Sequence, residues 1–208
     1  FSVVIYDLPA HGLSSGTRAS IASFNEYQVV LEHLIGYFKP HLSQPWLAIG
    51  QSTGGAILMD YVLSKHAQQQ ASVFDRLFLL APLVYPAKMQ WLQLKLAFCC
   101  FKSVRTGLPR VFRHNTGDAD FVRFMREEDP LQAHWIPVAW LLALKEWIED
   151  IHDLPACHMP VWVVQGGQDK TVNSVYNLSF IDAKFKVQRA LKLPEASHQL
   201  VNETEAFR

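Results

Sequence analysis

Apolar positions along this chain follow two periods, and the two periods alternate. Residues 1–6 (FSVVIY) form an unbroken apolar run rich in β-branched side chains, the pattern of a buried parallel strand. Residues 21–38 carry apolar side chains at helical spacing (Ile21, Phe24, Tyr27, Leu31, Leu34, Ile35, Phe38) and stop at Lys39-Pro40, which predicts an amphipathic helix. A short apolar run follows at Trp46-Leu47-Ala48-Ile49. Beyond it a helical pattern (Ala56, Ile57, Tyr61, Val62) runs to near Gln70, and Leu77-Phe78-Leu79-Leu80 reads as the next buried strand. Strand, helix, strand, helix, strand in that order predicts a parallel sheet.

The alternation breaks over residues 83–153, where no strand is predicted. Two aromatic helical pieces occupy this stretch: residues 89–101, unusually apolar, and a second running through Trp135, Trp140, Leu141, Leu144, Trp147 and Ile148. Helices inserted between two strands of a sheet predict a cap over the core. The first piece, with Trp91 and Leu94, reads either as the lining of an acyl-chain pocket or a membrane-surface contact, or as packing against the sheet. For the second piece, packing is the favoured reading. The strand pattern resumes at Val161-Trp162-Val163-Val164-Gln165, followed by a short helix over 174–183 and a last strand over 186–193. The predicted organisation is therefore a core of 1–82 and 154–208, with a helical cap of 83–153 between.

The chemistry concentrates at the ends of the strands. Gly50-x-Ser52-x-Gly54 lies between an apolar run and a helix, the pattern that holds a serine on a sharp strand-to-helix turn. Side chains at Gly50 or Gly54 are expected to collide with neighbouring chain. Ser52 would sit at a helix N-terminus, with the N–H of Thr53 aimed at the oxyanion of an acyl-transfer transition state. Asp169 in Gly166-Gly167-Gln168-Asp169 and His198 in Ala196-Ser197-His198 each follow their own predicted strand, on the same sheet edge as Ser52. A serine hydroxyl needs a base to become nucleophilic. His198 would take its proton, and Asp169 would hold the imidazole tautomer. The chain order Ser, Asp, His matches one serine-hydrolase architecture and differs from the orders of chymotrypsin and subtilisin. Asp153, Asp182 and Glu195 are the rival acids. His11, in the loop after residues 1–6, reads as a structural residue pinning that loop, and Ser14 and Ser15 have no activating neighbour. His114, His134, His152 and His158 lack metal-ligand spacing and are assigned no chemistry.

Composition narrows the partners. Half of the 208 residues are apolar, enough for one substantial core, and the 19 basic and 19 acidic residues cancel. No basic stripe predicts nucleic acid as a partner. The three cysteines (Cys99, Cys100, Cys157) form no disulfide framework, and no CxxC or HExxH spacing predicts a metal. No apolar stretch reaches the roughly 18 uncharged residues of a membrane span. The expectation is a cytoplasmic protein without cofactor, meeting a membrane surface at most through its cap.

With these residues in view, the chain resembles the α/β-hydrolase superfamily, and within it the monoacylglycerol lipase and bacterial lysophospholipase group. The resemblance rests on Asp7-x-x-x-His11-Gly12-x-Ser14-x-Gly16, Gly50-Gln51-Ser52-Thr53-Gly54-Gly55, Ala81-Pro82, Asp129-Pro130-Leu131, Gly167-Gln168-Asp169-x-x-Val172 and His198-x-Leu200 with Asn202-Glu203. It implies the α/β-hydrolase fold, a mostly parallel sheet with helices on both faces and an inserted helical cap. It implies a cofactor-independent serine hydrolase of carboxylic esters, acylglycerols or lysophospholipids, working through Ser52, His198 and Asp169, with Trp91 and Leu94 binding substrate. The family more often places histidine and methionine where this chain has Gln51 and Thr53. Members also carry strands ahead of the one at residues 1–6, one of which lies between it and the strand at 46–49 and is followed by the loop giving the first oxyanion N–H. Those strands and a full final helix are missing here, so the chain reads as an internal piece of a longer protein, expected to fold poorly alone. Two alternatives stay open: thioester, N-terminal peptide or acyl-transfer chemistry on the same triad, and a non-catalytic ligand-binding protein on the hydrolase fold.

Overall fold

The computed structural model describes residues 2–87, 107–110 and 115–207. Four strands, β1 (Leu47–Gln51), β2 (Arg76–Leu80), β5 (Pro160–Gly166) and β6 (Lys186–Leu193), form one parallel sheet in the order β1-β2-β5-β6. Parallel neighbours need a crossover between them. Helix α2 (Thr53–Ala67) supplies it from β1 to β2, and α5 (Ser174–Lys184) from β5 to β6. Between β2 and β5 the chain leaves the sheet. There it forms the two-residue strands β3 (Leu108–Pro109) and β4 (Trp135–Ile136), paired antiparallel, and a short helix α3 (Ala119–Arg123) that runs into a π-helical turn at Phe124–Glu128. The small β3–β4 pair corrects the expectation of a strand-free insertion. With two residues each, these strands are too short to leave an alternating pattern in the sequence. Residues 89–101, with Trp91 and Leu94, lie outside the described residues, as do Cys99, Cys100 and His114.

The second aromatic piece is α4 (Val138–Asp153) from Trp140 onward, Trp135 lying in β4 instead of a helix, and α4 packs into the main core. Its Leu144, Trp147, Ile148 and Ile151 join one buried cluster with Phe24 and Tyr27 of the α1 region and Ile57, Met59 and Leu63 of α2. Helix α1 itself runs Asn25–Phe38. The Trp147 ring stacks on Phe24 at 4.7 Å between centroids, and the Trp140 indole N–H donates to the Tyr27 hydroxyl at 3.1 Å. Each such side chain contributes about 1.5–3 kcal/mol by leaving water, so α4 holds the helical flank against the sheet. Phe24, read as part of the first helix, instead precedes α1 as its N-cap residue without a side-chain capping bond.

Residues 2–7 correct a further expectation. They form no strand, and Val3 and Ile5 are 76% and 88% exposed. A strand exists only where a neighbour's backbone N–H and C=O complete its ladder. Among the described residues β1 pairs with β2 alone and forms the sheet's edge, where Ile49 is 70% exposed. The opposite edge, β6, carries exposed Lys186, Arg189 and Lys192, charges of the kind that blunt strand-to-strand association. The segment after His198, read as a final helix cut short, is two 3-10 turns at Leu200–Asn202 and Glu205–Phe207.

Candidate active site

The carboxyl edge of the sheet collects the candidate residues because β1, β5 and β6 all end there. Ser52 directly follows β1 and precedes α2, with φ 51° and ψ −114°. That is the left-handed side of backbone space, costly for a side-chain-bearing residue and persistent only where the surroundings impose it. They do so here. The Ser52 N–H donates to the Leu80 carbonyl at 2.9 Å, and the Ser52 carbonyl accepts from Leu83 N–H at 3.1 Å, so β2 and the chain just beyond it grip the elbow on both sides. A Cβ on Gly50 would lie 2.5 Å from the Gly54 carbonyl carbon, so β1 passes the first turn of α2 at a distance only glycine allows. The motif predicts an equal constraint at Gly54, but a Cβ there meets nothing within 4 Å among the described residues. The close approach belongs to Gly55, where a Cβ would lie 3.1 Å from the Pro82 side chain. The turn carries the helix one residue further before it meets the neighbouring strand's end.

His198 bridges the other two residues. Its Nε2 lies 3.0 Å from Ser52 Oγ and its Nδ1 2.8 Å from Asp169 Oδ2. The carboxylate neighbour assigns the ring proton to Nδ1, which leaves Nε2 free to accept the Ser52 hydroxyl. The His198 and Asp169 side chains are 4% and 0% exposed, whereas Ser52 is only partly buried. None of the rival acids holds Nδ1: that partner is Asp169.

Asp169 is heavily bonded. Oδ1 accepts the N–H groups of Thr171 and Val172 at 2.8 and 3.1 Å, while Oδ2 accepts from Gln165 Nε2 at 2.9 Å as well as from His198. Burial pushes its pKa up, but the bonds and the imidazole outweigh burial and hold the carboxyl below its usual value of 3.8. An anion in that position stabilises an imidazolium formed on His198.

Several residues around the site carry no motif in the sequence. Gln165, a buried amide ending an apolar strand, holds Asp169. Gln51 Nε2 donates to Gln199 Oε1 at 2.5 Å, tying the elbow to the residue after His198. Asn177, fully buried, accepts from Tyr85 N–H and donates to the Pro82 carbonyl, fixing the chain that leaves β2. A polar residue inside an apolar pattern was the available signal for Gln165; for the other two only contact in space shows the role. His11 Nδ1 bonds the Pro9 carbonyl at 2.9 Å, a contact local to its loop, and His152 Nε2 meets the Tyr176 hydroxyl at 2.7 Å. Among the described residues no cluster of histidine, cysteine and acidic side chains could hold a metal ion, and no helix is long and apolar enough to cross a membrane.

Residues 1–205 match the family described as Serine aminopeptidase, S33 (Hydrolase_4). The chain belongs to this family. Its fold is that of the α/β-hydrolases. A monoacylglycerol lipase from Paleococcus ferrophilus superposes with a TM-score of 0.77 at 19% identity, over 97% of this chain and 76% of that one. A soluble variant of monoglyceride lipase from Saccharomyces cerevisiae, in complex with a substrate analogue, gives 0.74 at 16% identity, over 97% and 71%. An esterase from Exiguobacterium antarcticum gives 0.64 at 14% identity, over 94% and 74%. No curated protein matches the chain by sequence. In this family's frame the elbow, the β5 loop and the β6 loop together form the candidate active site.

Proposed function

We propose that this S33-family hydrolase cleaves carboxylic esters of small lipids, monoacylglycerols or lysophospholipids, through an acyl-enzyme formed on Ser52. The observation that carries the reading is the unbroken hydrogen-bonded chain from Ser52 Oγ through His198 to a buried Asp169 held below its usual pKa. His198 takes the Ser52 proton as Oγ attacks the ester carbonyl, and returns it to the leaving alcohol. Water then attacks the acyl-enzyme with His198 again as base. Thr53, first residue of α2, has an N–H that the helix's own ladder leaves unused, and it donates to the oxyanion. No metal or cofactor enters this chemistry. The lipid assignment draws on the likeness in fold to monoacylglycerol lipases, and it gives the apolar insertion with Trp91 and Leu94 the acyl chain to bind and a membrane surface to touch.

Turnover of p-nitrophenyl esters from acetate to palmitate by the full-length protein tests this, with Ser52→Ala and His198→Ala as controls. Serine-dependent turnover rising with chain length is expected, and Trp91→Ala and Leu94→Ala should lose long-chain more than short-chain activity. Activity confined to short chains removes the lipid assignment, and activity surviving His198→Ala removes the triad. The family's description as serine aminopeptidases favours a second reading, cleavage of N-terminal peptide bonds. Aminoacyl p-nitroanilides assayed alongside the esters decide between them.

A further inference from the structure

Glu203 is a buried carboxyl that the hydrolytic steps do not use. It is 1% exposed and lies in the turn that follows His198. Its two oxygens point to different parts of the molecule: Oε1 accepts the N–H of Ser197 at 2.6 Å, and Oε2 accepts the N–H of Gly117 at 2.7 Å. Ser197 immediately precedes the histidine, whereas Gly117 belongs to the insertion between β2 and β5. Further bonds cross the same seam. The Asn115 carbonyl accepts the N–H groups of both His198 and Gln199, at 3.0 and 2.7 Å, and the Thr116 hydroxyl donates to the Asn202 carbonyl at 2.6 Å.

Residues 194–199 belong to no helix or strand, so their backbone groups have no ladder partners and depend on what surrounds them. Burying a carboxyl is costly unless its oxygens are bonded. Here both are bonded, and both bonds go to backbone on either side of the seam. A shift of Gly117 therefore pulls on Ser197 through one side chain bonded at both oxygens. A base must stand within about half an ångström of its productive place, and His198 stands in the turn so held.

We propose that Glu203 is a positioning residue that fastens segment 115–117 of the insertion to the His198 turn, so that the seating of the insertion sets the reach from His198 to Ser52. The proposal rests on the reading of Ser52, His198 and Asp169 as a catalytic triad. It makes turnover sensitive to a stretch of chain that carries none of the triad residues.

Two variants act on the bridge from opposite ends. Glu203→Gln keeps the volume but turns an NH₂ toward one of the two backbone N–H groups, breaking that bond. Gly117→Ala places a Cβ 2.9 Å from Glu203 Oε2, displacing the carboxyl from the insertion side. The full-length protein is assayed for p-nitrophenyl butyrate turnover per serine titrated to completion with a fluorophosphonate, together with KM and Tm. Both variants should lower kcat per titrated serine about tenfold to a hundredfold, with KM within about twofold. A fall in Tm with kcat per titrated serine unchanged would make Glu203 purely structural and overturn the proposal. If Glu203→Gln does not fold, a folded Gly117→Ala with wild-type kcat overturns it equally. Full activity in Ser52→Ala, assayed in parallel, would instead remove the triad on which the proposal stands.

Discussion

Asp169 and Asp60 are both aspartates drawn in from solvent, and the protein treats them in opposite ways. Asp169 sits in a loop at the carboxyl edge of the sheet, where two backbone N–H groups, an amide side chain and an imidazole all donate to it. Asp60 sits mid-way along α2 and faces a cavity of about 280 Å³ between α1, α2 and α4, lined also by Gln28, Glu32, Lys65, Trp147 and Asp150. Among the described residues its hydrogen bonds come from side chains, with Gln28 Nε2 at 2.8 Å and the Ser64 hydroxyl at 3.3 Å. Burial is the largest effect on Asp60 and, with the charge of Asp150 adding to it, pushes the pKa up to about 6 against the pull of those bonds. In both places burial disfavours the charge, and the supply of donors decides the outcome. An irregular loop has spare N–H groups to offer, whereas the interior of a helix has spent its own on the i→i−4 ladder. The loop end of the sheet therefore favours a buried anion, whereas on the helix face the charge is disfavoured and the carboxyl keeps its proton up to about pH 6.

The sharpest way to break this contrast is Asp169→Asn. The amide oxygen introduced by this change keeps the Thr171 and Val172 bonds, and the new NH₂ faces His198. That forces the ring proton onto Nε2, which can then no longer accept from Ser52. Ester turnover should fall by about 10⁴-fold, as for the equivalent change in other triads, with the protein still folded by circular dichroism. Retention of more than about a tenth of wild-type activity would mean that Asp169 does not set the tautomer.

At the other aspartate, Asp60→Asn should stabilise the protein at pH 8 and leave turnover unchanged. A folded-state pKa near 6 against 3.8 unfolded means that the native state binds more protons between those values, so stability falls as pH rises through this window. The gain at pH 8 is up to about 3 kcal/mol, and it vanishes below about pH 4; melting curves across pH 4–8 read it directly. Asp169 has the opposite sign. Its pKa is depressed on folding, so its contribution is present above the unfolded value and lost as pH falls through the folded one. An acid-side slope that survives in Asp169→Asn would assign that slope to other groups.

Smaller changes sharpen the comparison. Gln165→Leu removes one donor to the Asp169 anion and should cost about 1.5–3 kcal/mol by chemical denaturation, less whatever is recovered from its own buried Oε1, which has no partner among the described residues. A neutral result would mean that the remaining donors suffice. Smallest is Glu149→Gln on α4, an exposed carboxylate 3.1 Å from Lys145 one helical turn away. Water already solvates it, so stability should move by less than about 0.5 kcal/mol.

Where local pattern and tertiary outcome share a cause, the sequence was legible. Helices α1 and α2 were readable from the apolar positions they bury, and α4 from the spacing of Leu141, Leu144, Trp147 and Ile148, whereas α3 buries nothing and left no pattern. The strands β1, β2 and β5 were readable from short apolar runs, and the mostly exposed β6 from its place in the chain order. The positions of Ser52, Asp169 and His198 followed from strand ends, because a parallel sheet presents all its carboxyl ends on one edge. Residues 2–7 had an equally good strand pattern and form no strand, because a strand is a property of a pair and periodicity reports only one member. Gly54 and Gly55 show the same limit at finer scale, since both fit the motif and only the place of Pro82 tells which one must be small.

Short-range periodicity and the order of elements were therefore enough for the alternating architecture, the elbow at Ser52 and the candidate acid and base. Which donors surround each carboxyl was a matter of folding: Gln165 and the Thr171 and Val172 amides at Asp169, Gln28 at Asp60, Gly117 and Ser197 at Glu203. In the sequence Asp60 carries no motif, and the motifs holding Asp169 and Glu203 do not show what bonds them. What separates an anion, a carboxyl pushed toward its neutral form and a two-ended brace is the set of donors brought within hydrogen-bond reach, several of them from distant parts of the chain. That set exists only after folding.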